Sequence, residues 1–264
     1  MLKAALHVHS THSDGEFTLV ELKQLFSEEG CSVVGMTDHA ESFDRAKLAD
    51  YVSECKSLSD DRFLFLCGLE FGCEQQMHML GYGTTALAQT QEPQKVIRHI
   101  EENQGLAVIA HPKASMFPWI ETFEVLPRGI ETWNSKYDGR YAPRSHTFEL
   151  LQRLRSKRPD MRAFYGQDLH WKNQFRGLFS ELQCDSLNRS EILDALASGK
   201  YSGMKGDLRL PSSGELEPEL AAQFDASRAR SDKMRNFLKI GKRAIDKLGI
   251  VAPASIKAHL RRLF

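Results

Sequence analysis

Short apolar runs alternate with segments of helical spacing over the first 200 residues of the chain. The apolar runs predict strands at 2–8, 32–36, 62–71, 77–82, 106–110, 129–133, 161–165 and 177–182. Helical spacing predicts helices at 18–29, 44–58, 93–103, 143–157 and 189–198. Repeated alternation of this kind indicates parallel strands covered by helices, with residues 77–82 as a hairpin partner of the strand before them. About seven such units predict an α/β protein with a closed or nearly closed barrel.

Two helix boundaries carry local signals. Thr18 and Glu21 have the spacing of a capping box, and Gly30 is a fitting stop for the same helix. Gly199 likewise follows the last helix of the alternating series.

The chain changes character after residue 204. Residues 205–225 include the run Pro211, Ser212, Ser213 and Gly214, a turn or linker composition. Residues 226–264 show two amphipathic helical patterns, with these apolar positions: Met234, Phe237, Leu238, Ile245 and Leu248 in one, and Ile256, Leu260 and Leu263 in the other. We therefore predict a barrel at 1–204, a linker at 205–225 and a helical C-terminal extension at 226–264.

The net charge of zero conceals an uneven distribution. The extension 226–264 holds eleven Lys and Arg against two Asp and Glu, so the preceding residues are acidic overall. A basic tail of this kind can bind nucleic acid, an anionic membrane surface or a partner protein. The alternative, which we favour, is that its apolar stripe packs on the barrel while the charges face water.

The chain shows no signal of export or membrane insertion. No apolar run approaches the roughly 20 residues that span a bilayer, so we do not expect an integral membrane protein. The first strand begins directly after Met1, which leaves no room for a signal peptide. The five cysteines include no CxxC pair, and their odd number without a secretory signal indicates reduced thiols. We expect a cytoplasmic protein.

Histidines and carboxylates gather where the predicted strands end. They lie in HVHSTHSDG (7–15), TDH (37–39), HP (111–112) and DLH (168–170), with Glu70 and His78 between them. Residues two apart on a strand point the same way, so His7 and His9 can chelate one ion. In barrels of parallel strands the active site gathers at the carboxyl ends of the strands. The pattern therefore predicts a centre of several metal ions.

These residues resemble the motifs of the polymerase and histidinol phosphatase (PHP) superfamily, over residues 1 to about 200. The matching residues are His7, His9, Ser10, Asp14, Gly15, Thr37, Asp38, His39, Gly68, Glu70, His78, His111, Pro112, Asp168 and His170. The resemblance implies a distorted seven-stranded (β/α) barrel that holds two or three divalent ions, which would be manganese, zinc or iron. Only 32 residues separate His78 from His111, so the chain resembles the compact members that lack an inserted cap domain.

The resemblance also implies three ion positions. The first would take His7, His9, Glu70 and Asp168; the second Glu70, His78 and His111; the third Asp14, His39 and His170. His12 is an alternative to Asp14, although the family's spacing favours Asp14. Asp38 is expected to orient its neighbour His39 rather than bind an ion.

The implied activity is hydrolysis of a phosphate ester, in a small phosphorylated metabolite or nucleotide, by a hydroxide that bridges metal ions. Candidate substrate contacts are Lys113, Asn134, Arg144 and Arg176, with Lys136, Arg140 and Lys172 as further cations near the site. Two other hypotheses stay open. One is a metal-dependent hydrolase of carboxylic or carbamate esters, and the other is a nucleic-acid-binding or partner-binding protein that works through its basic tail.

Overall fold

A computed structural model describes residues 1–138, 142–230 and 233. The strands are β1 (Leu2–Val8), β2 (Val33–Met36), β3 (Asp38–His39), β4 (Leu64–Leu66), β5 (Gly68–Gly72), β6 (His78–Tyr82), β7 (Leu106–Ala110), β8 (Gly129–Asn134), β9 (Arg162–Gly166), β10 (Phe179–Leu182), β11 (Tyr201–Lys205) and β12 (Leu208–Pro211). The helices are α1 (Leu19–Glu28), α2 (Arg45–Leu58), α3 (Pro93–Glu102), α4 (Phe117–Ile120), α5 (Ser145–Leu154) and α6 (Arg189–Ser198), and α7 occupies 218–230. Arg140 and the apolar positions predicted between Met234 and Leu263 lie outside the described residues.

The described strands form two six-stranded sheets. Their orders are β12-β11-β10-β1-β2-β4 and β3-β5-β6-β7-β8-β9. Helices alternate with many of the strands, so the α/β class predicted from the sequence is confirmed. The closed seven-stranded barrel stays a prediction.

The prediction of parallel strands holds for only part of each sheet. The hairpin of β5 and β6 is antiparallel, as its short connection requires, and β7 is in turn antiparallel to β6. In the other sheet β10 is antiparallel to β1. The antiparallel pairing of β5 with β6 confirms the predicted hairpin. The reversals at β7 and β10 were not predicted, because apolar alternation reports which residues are buried but not the direction of the chain.

Backbone hydrogen bonds join the two sheets where the candidate site lies. The amide of Gln167 donates to the carbonyl of Leu6 at 2.9 Å, and the amide of His9 donates to the carbonyl of Leu169 at 3.0 Å. These bonds bring the segment after β9 alongside the end of β1. The DLH segment therefore meets the HVH segment, as the strand-end pattern predicted.

A β-hairpin follows α6 where the sequence suggested a turn or linker. β11 pairs antiparallel with β10, and β12 pairs with β11, so residues through Pro211 extend a sheet. The Tyr201 hydroxyl donates to the carbonyl of Ala163 at 2.7 Å and ties this hairpin to β9. The predicted linker at 205–225 is therefore wrong for its first part, and α7 begins within its second part.

The first helix begins as its sequence predicted. The Thr18 hydroxyl accepts from the Glu21 amide at 3.2 Å, and the Glu21 carboxylate accepts from the Thr18 amide at 2.9 Å. None of the helices among the described residues has the length and apolar character to cross a membrane.

Candidate metal centre

Glu70 lies at the centre of the predicted ligands. It belongs to β5 and is 1% exposed. Its Oε1 is 2.9 Å from His78 Nδ1 and 3.1 Å from His111 Nε2. Its Oε2 is 3.2 Å from His9 Nε2 and 3.4 Å from His7 Nε2. His39 Nδ1 also lies 3.5 Å from Oε2, so one carboxylate faces five imidazoles, and both of its oxygens are placed as a bridging ligand requires.

Asp168 closes the inner side of the cluster. Its Oδ1 is 3.8 Å from His7 Nε2 and 3.1 Å from His170 Nδ1, and its Oδ2 is 3.7 Å from His111 Nε2. The Asp168 residue is 1% exposed. It therefore joins the histidines of three separate chain segments.

Asp14 forms the outer side of the cluster. Its Oδ1 lies 3.3 Å from His170 Nε2, 3.6 Å from His39 Nε2 and 3.7 Å from His9 Nδ1. The Asp14 side chain is 54% exposed, so this side faces the solvent and can admit a ligand. The three residues predicted for a third ion, Asp14, His39 and His170, are thus brought together, with His9 beside them.

The donor set fits divalent cations. Three groups offer donor atoms that lie within 4.8 Å of one another: His9, Asp14, His39 and His170; His7, His9 and Asp168; His7, Glu70 and His111. Both ring nitrogens of His9 are buried, and although Nε2 lies 3.2 Å from Glu70 Oε2, neither nitrogen has a hydrogen bond of good geometry among the described residues. Buried polar atoms are nearly always partnered, so an unpartnered imidazole among carboxylates indicates a ligand that the chain itself does not supply. Nitrogen and oxygen donors in this mixture suit zinc, iron or manganese.

Three of these residues have a left-handed backbone. His7, His111 and Asp168 have φ values of 60°, 24° and 50°, which L-residues rarely adopt. The pairing of β1 with β2 shifts register at His7, so regular alternation does not explain why His7 and His9 reach the same carboxylate. Such strain costs about 1–3 kcal/mol per residue and persists where function requires it.

Glu131 is a functional residue that the sequence analysis missed. It lies on β8 and is 1% exposed. Its Oε1 accepts from His7 Nδ1 at 2.8 Å, and its Oε2 accepts from the His111 amide at 2.9 Å. A carboxylate on one ring nitrogen fixes the imidazole and directs the other nitrogen toward an ion. An acidic residue in the otherwise uncharged strand GIETWN was the available signal.

Charges within the cluster shift its protonation. Burial disfavours ionised Glu70, but His7 and His111 outweigh it and hold the Glu70 pKa well below its usual range. Burial likewise opposes ionised Asp168, yet His7 and His170 hold the Asp168 pKa well below its usual range. Burial lowers the pKa of His9. Although burial opposes protonation of His7 and His111, the neighbouring carboxylates raise the pKa of both, so an ion that binds these imidazoles must displace their protons.

Asp38 supports the loop that carries Asp14. Its Oδ1 accepts from the Ser10 amide at 2.8 Å and the Ser13 hydroxyl at 2.5 Å, and its Oδ2 accepts from the Ser10 hydroxyl at 2.8 Å. Asp38 therefore positions this loop, whereas the sequence analysis expected it to orient His39. His12 Nε2 is 2.8 Å from Glu54 Oε2, away from the cluster, which agrees with the preference for Asp14.

The predicted substrate contacts are partnered within the chain. Asn134 donates to Glu131 at 3.0 Å and to Asp168 at 3.1 Å, so it braces the cluster. Arg144 Nε is 2.9 Å from Asp138 Oδ1 and holds the loop after β8. Lys113 Nζ is exposed and donates to Gln76 at 3.3 Å, and Arg176 donates to nearby backbone carbonyls. Their roles in substrate binding stay predictions.

Lys136 is the cation that lies closest to the cluster's acids. Its Nζ is 3.1 Å from Asp168 Oδ1 and 3.3 Å from His170 Nδ1. Burial opposes the ammonium form, but Asp168 outweighs it and raises the Lys136 pKa. A fixed positive charge therefore borders the site.

Comparison with known proteins identifies the family. The PHP domain family matches residues 5–138, about half of the chain, and the chain belongs to this family. No curated protein matches the sequence significantly.

Solved structures share the fold at low sequence identity. A two-domain protein from Bacteroides vulgatus, containing a predicted PHP-like metal-dependent phosphoesterase, has a TM-score of 0.54 and 16% identity, covering 79% of this chain and 66% of its own. PsfC from Pseudomonas syringae has a TM-score of 0.55 and 10% identity, covering 87% of this chain and 98% of its own. The lesion-specific endonuclease PfuEndoQ from Pyrococcus furiosus has a TM-score of 0.53 and 15% identity, covering 80% and 57%. This chain thus spans less than two thirds of the Bacteroides and Pyrococcus proteins.

Proposed function

We propose that the protein hydrolyses phosphate esters with two or three bound divalent ions, which are manganese, zinc or iron. The observation that carries this proposal is the convergence of three overlapping donor groups, the donor atoms of each group lying within 4.8 Å of one another. The similarity to a protein described as containing a predicted metal-dependent phosphoesterase, and to an endonuclease, supports the phosphate-ester hypothesis.

The ligand assignment is the one that the family resemblance implies, and the short distances among these residues support it. His7, His9, Glu70 and Asp168 would hold the first ion; Glu70, His78 and His111 the second; Asp14, His39 and His170 the third. Glu70 would be shared between the first two ions, because its Oε1 faces His78 and His111 while its Oε2 faces His7 and His9.

Bound divalent ions would supply Lewis acidity, which acidifies water and neutralises the charge of a phosphoryl group. The chain's own residues do the rest. Glu131 fixes the His7 ring, and Asn134 holds the Asp168 carboxylate. The Lys136 ammonium borders the same carboxylate and can contact a phosphoryl oxygen that enters from the solvent side.

The test compares two aryl esters. Protein loaded separately with manganese, zinc or iron is assayed with an aryl phosphate and an aryl acetate, and metal content is measured on the same samples. We expect turnover of the phosphate with at least one metal. Turnover of the acetate alone would replace this proposal by the carboxylic-ester hypothesis, and no turnover with fully loaded protein would contradict both.

Matched variants connect the activity to the cluster. His9→Ala and Asp168→Asn should each lower kcat/KM for the aryl phosphate by at least about a hundredfold, the scale on which loss of a metal is felt. Asp14→Asn and His12→Asn form a pair on one loop, of which only Asp14→Asn should impair activity. Equal effects of that pair would contradict the assignment of Asp14.

A further inference from the structure

Two aromatic rings stand exposed at the mouth of the metal centre. Tyr137 is 47% exposed and Trp171 is 49% exposed. Among the described residues, the other large apolar side chains with comparable exposure are the terminal Met1 and Val20 on α1. Exposed tryptophan and tyrosine side chains that cluster in one place mark binding surfaces.

Both rings contact imidazoles of the cluster. The Tyr137 ring centre lies 4.7 Å from that of His111, and the Trp171 ring centre lies 5.8 Å from that of His170. The ligands of the proposed second and third ions are therefore each bordered by one exposed ring. These rings therefore lie within reach of the organic part of a substrate whose phosphate is at the proposed ions.

Lys136 lies between the two rings. Its Nζ is 5.2 Å from the ring centre of Tyr137 and 5.9 Å from that of Trp171. The same Nζ is 3.1 Å from Asp168, so it also faces the ions. An ammonium for phosphate, flanked by two aromatic faces, is a combination suited to a planar phosphorylated ligand.

Hydrogen bonds hold the backbone of both aromatic residues in place. The amide of Tyr137 donates to Asn134 Oδ1 at 3.1 Å, and its carbonyl accepts from Arg144 at 3.1 Å. The amide of Trp171 donates to Gln174 Oε1 at 3.2 Å. Preorganised aromatic faces lose little entropy when a ligand stacks on them.

We propose that Tyr137 and Trp171 form a stacking subsite for a nucleobase, so that the substrate is a nucleotide or the phosphorylated end of a nucleic acid strand. This inference rests on the proposed function, because it places the ester phosphate at the metal centre. Stacking is indifferent to which base is present, since every base has a π-face. The subsite therefore selects for a base but not for a particular one.

The experiment compares binding of two ligands that differ only by the base. Calorimetry with manganese-loaded protein measures the Kd of the 5′-methylenephosphonate analogues of AMP and ribose 5-phosphate, which a phosphatase does not cleave. We expect the adenosine compound to bind about tenfold more tightly. Equal Kd values would overturn the proposal.

Variants assign the preference to the rings. Tyr137→Ala and Trp171→Ala should each reduce the ratio of the two Kd values severalfold, whereas Tyr137→Phe and Trp171→Phe should keep it. Ribose 5-phosphonate binding should change little in all four, which serves as the internal control for folding. An unchanged ratio in both alanine variants would overturn the proposal.

Two further measurements separate the possible outcomes. Turnover of an aryl phosphate by the same preparations tests the proposed function independently, so base preference can hold while turnover fails, or the reverse. A trinucleotide that carries a 5′-methylenephosphonate in place of its 5′-phosphate then distinguishes a nucleic acid strand from a free nucleotide as the source of the base. Tighter binding than the mononucleotide assigns the subsite to a strand end, and equal binding assigns it to a free nucleotide.

Discussion

Gly166 and Glu131 fit together because residue 166 has no side chain: a Cβ atom there would overlap the Oε1 of Glu131. That oxygen accepts from His7 Nδ1 at 2.8 Å. The other Glu131 oxygen accepts from the His111 amide at 2.9 Å. A glycine on β9 thus determines how two predicted metal ligands on other strands are held.

Removing the charge of Glu131 should weaken metal binding without unfolding the protein. Glu131→Gln keeps the shape of the side chain but loses the carboxylate that holds the His7 ring. We expect metal affinity to fall by about 10–100-fold, the usual effect of losing such a partner. Competition with a chromophoric chelator measures it, and unchanged affinity with a native circular dichroism spectrum would contradict this role.

A methyl group at residue 166 should act through Glu131. Gly166→Ala is expected to displace the carboxylate, lower metal content and reduce aryl phosphatase activity by more than about tenfold. Gly206→Asn is the control, because its Cβ meets no atom within 4 Å and asparagine tolerates its φ of +54°. Activity of G166A equal to that of G206N would show that the close approach is unimportant.

Metal removal should lower thermal stability. A ligand that binds only the folded state at 100 times its Kd stabilises by about 2.7 kcal/mol. We expect Tm to fall by several degrees in chelator and to recover when zinc or manganese is added back. His9→Ala should shrink this difference, because its ring faces both Glu70 and Asp14. If metal analysis shows that the chelator has removed the ions and Tm is nevertheless unchanged, these residues do not form a metal centre that stabilises the fold.

Asp38 should be essential to the loop that carries Asp14. Asp38→Ala leaves three donors of Ser10 and Ser13 without their acceptor, and buried unpaired groups cost about 1–3 kcal/mol each. We expect lower stability in urea together with reduced metal binding at the third position. Ser13→Ala removes one of those bonds and its donor together, so it should have a much smaller effect.

The capping box of α1 gives a prediction about stability alone. Thr18→Ala should cost about 0.5–2 kcal/mol in the free energy of unfolding, because the Glu21 amide loses its acceptor. Thr18→Ser keeps an acceptor and should retain most of that stability. Urea unfolding measures both variants, and the aryl phosphatase activity of the folded protein should be unchanged.

The candidate metal ligands could be predicted because most of them lie in or directly after an apolar run, and such a pattern can be recognised from neighbouring residues in the sequence. His7, Glu70 and Asp168 come from distant segments, yet each follows or interrupts a buried run. Glu131 escaped because its role depends on a neighbour 124 residues away, which no local pattern records. Lys136 was named from the sequence as a cation near the site, but its contact with Asp168 was not predicted, because the turn after β8 sets that position.

The bounds of several strands and helices could be predicted, but apart from the hairpin of β5 and β6, whether neighbouring strands run parallel or antiparallel could not. The bounds of β7, at 106–110, and of α6, at 189–198, agree with the predictions. The antiparallel placement of β10 and the hairpin of β11 and β12 were not predicted. The run around Pro211 reads as a turn because proline and serine disfavour strands, and only an edge position makes a strand there acceptable.

The helix α7 reaches back to the loop beside the metal centre. Asp225 accepts from the Ser145 hydroxyl at 2.6 Å, and Arg228 donates to the carbonyl of Asp138. That loop carries Lys136 and Tyr137 only a residue or two away. A truncated gene for the metal-binding part of the protein should therefore retain the codons through residue 230. A truncation near residue 204 would remove the helix whose hydrogen bonds hold the loop beside the metal centre.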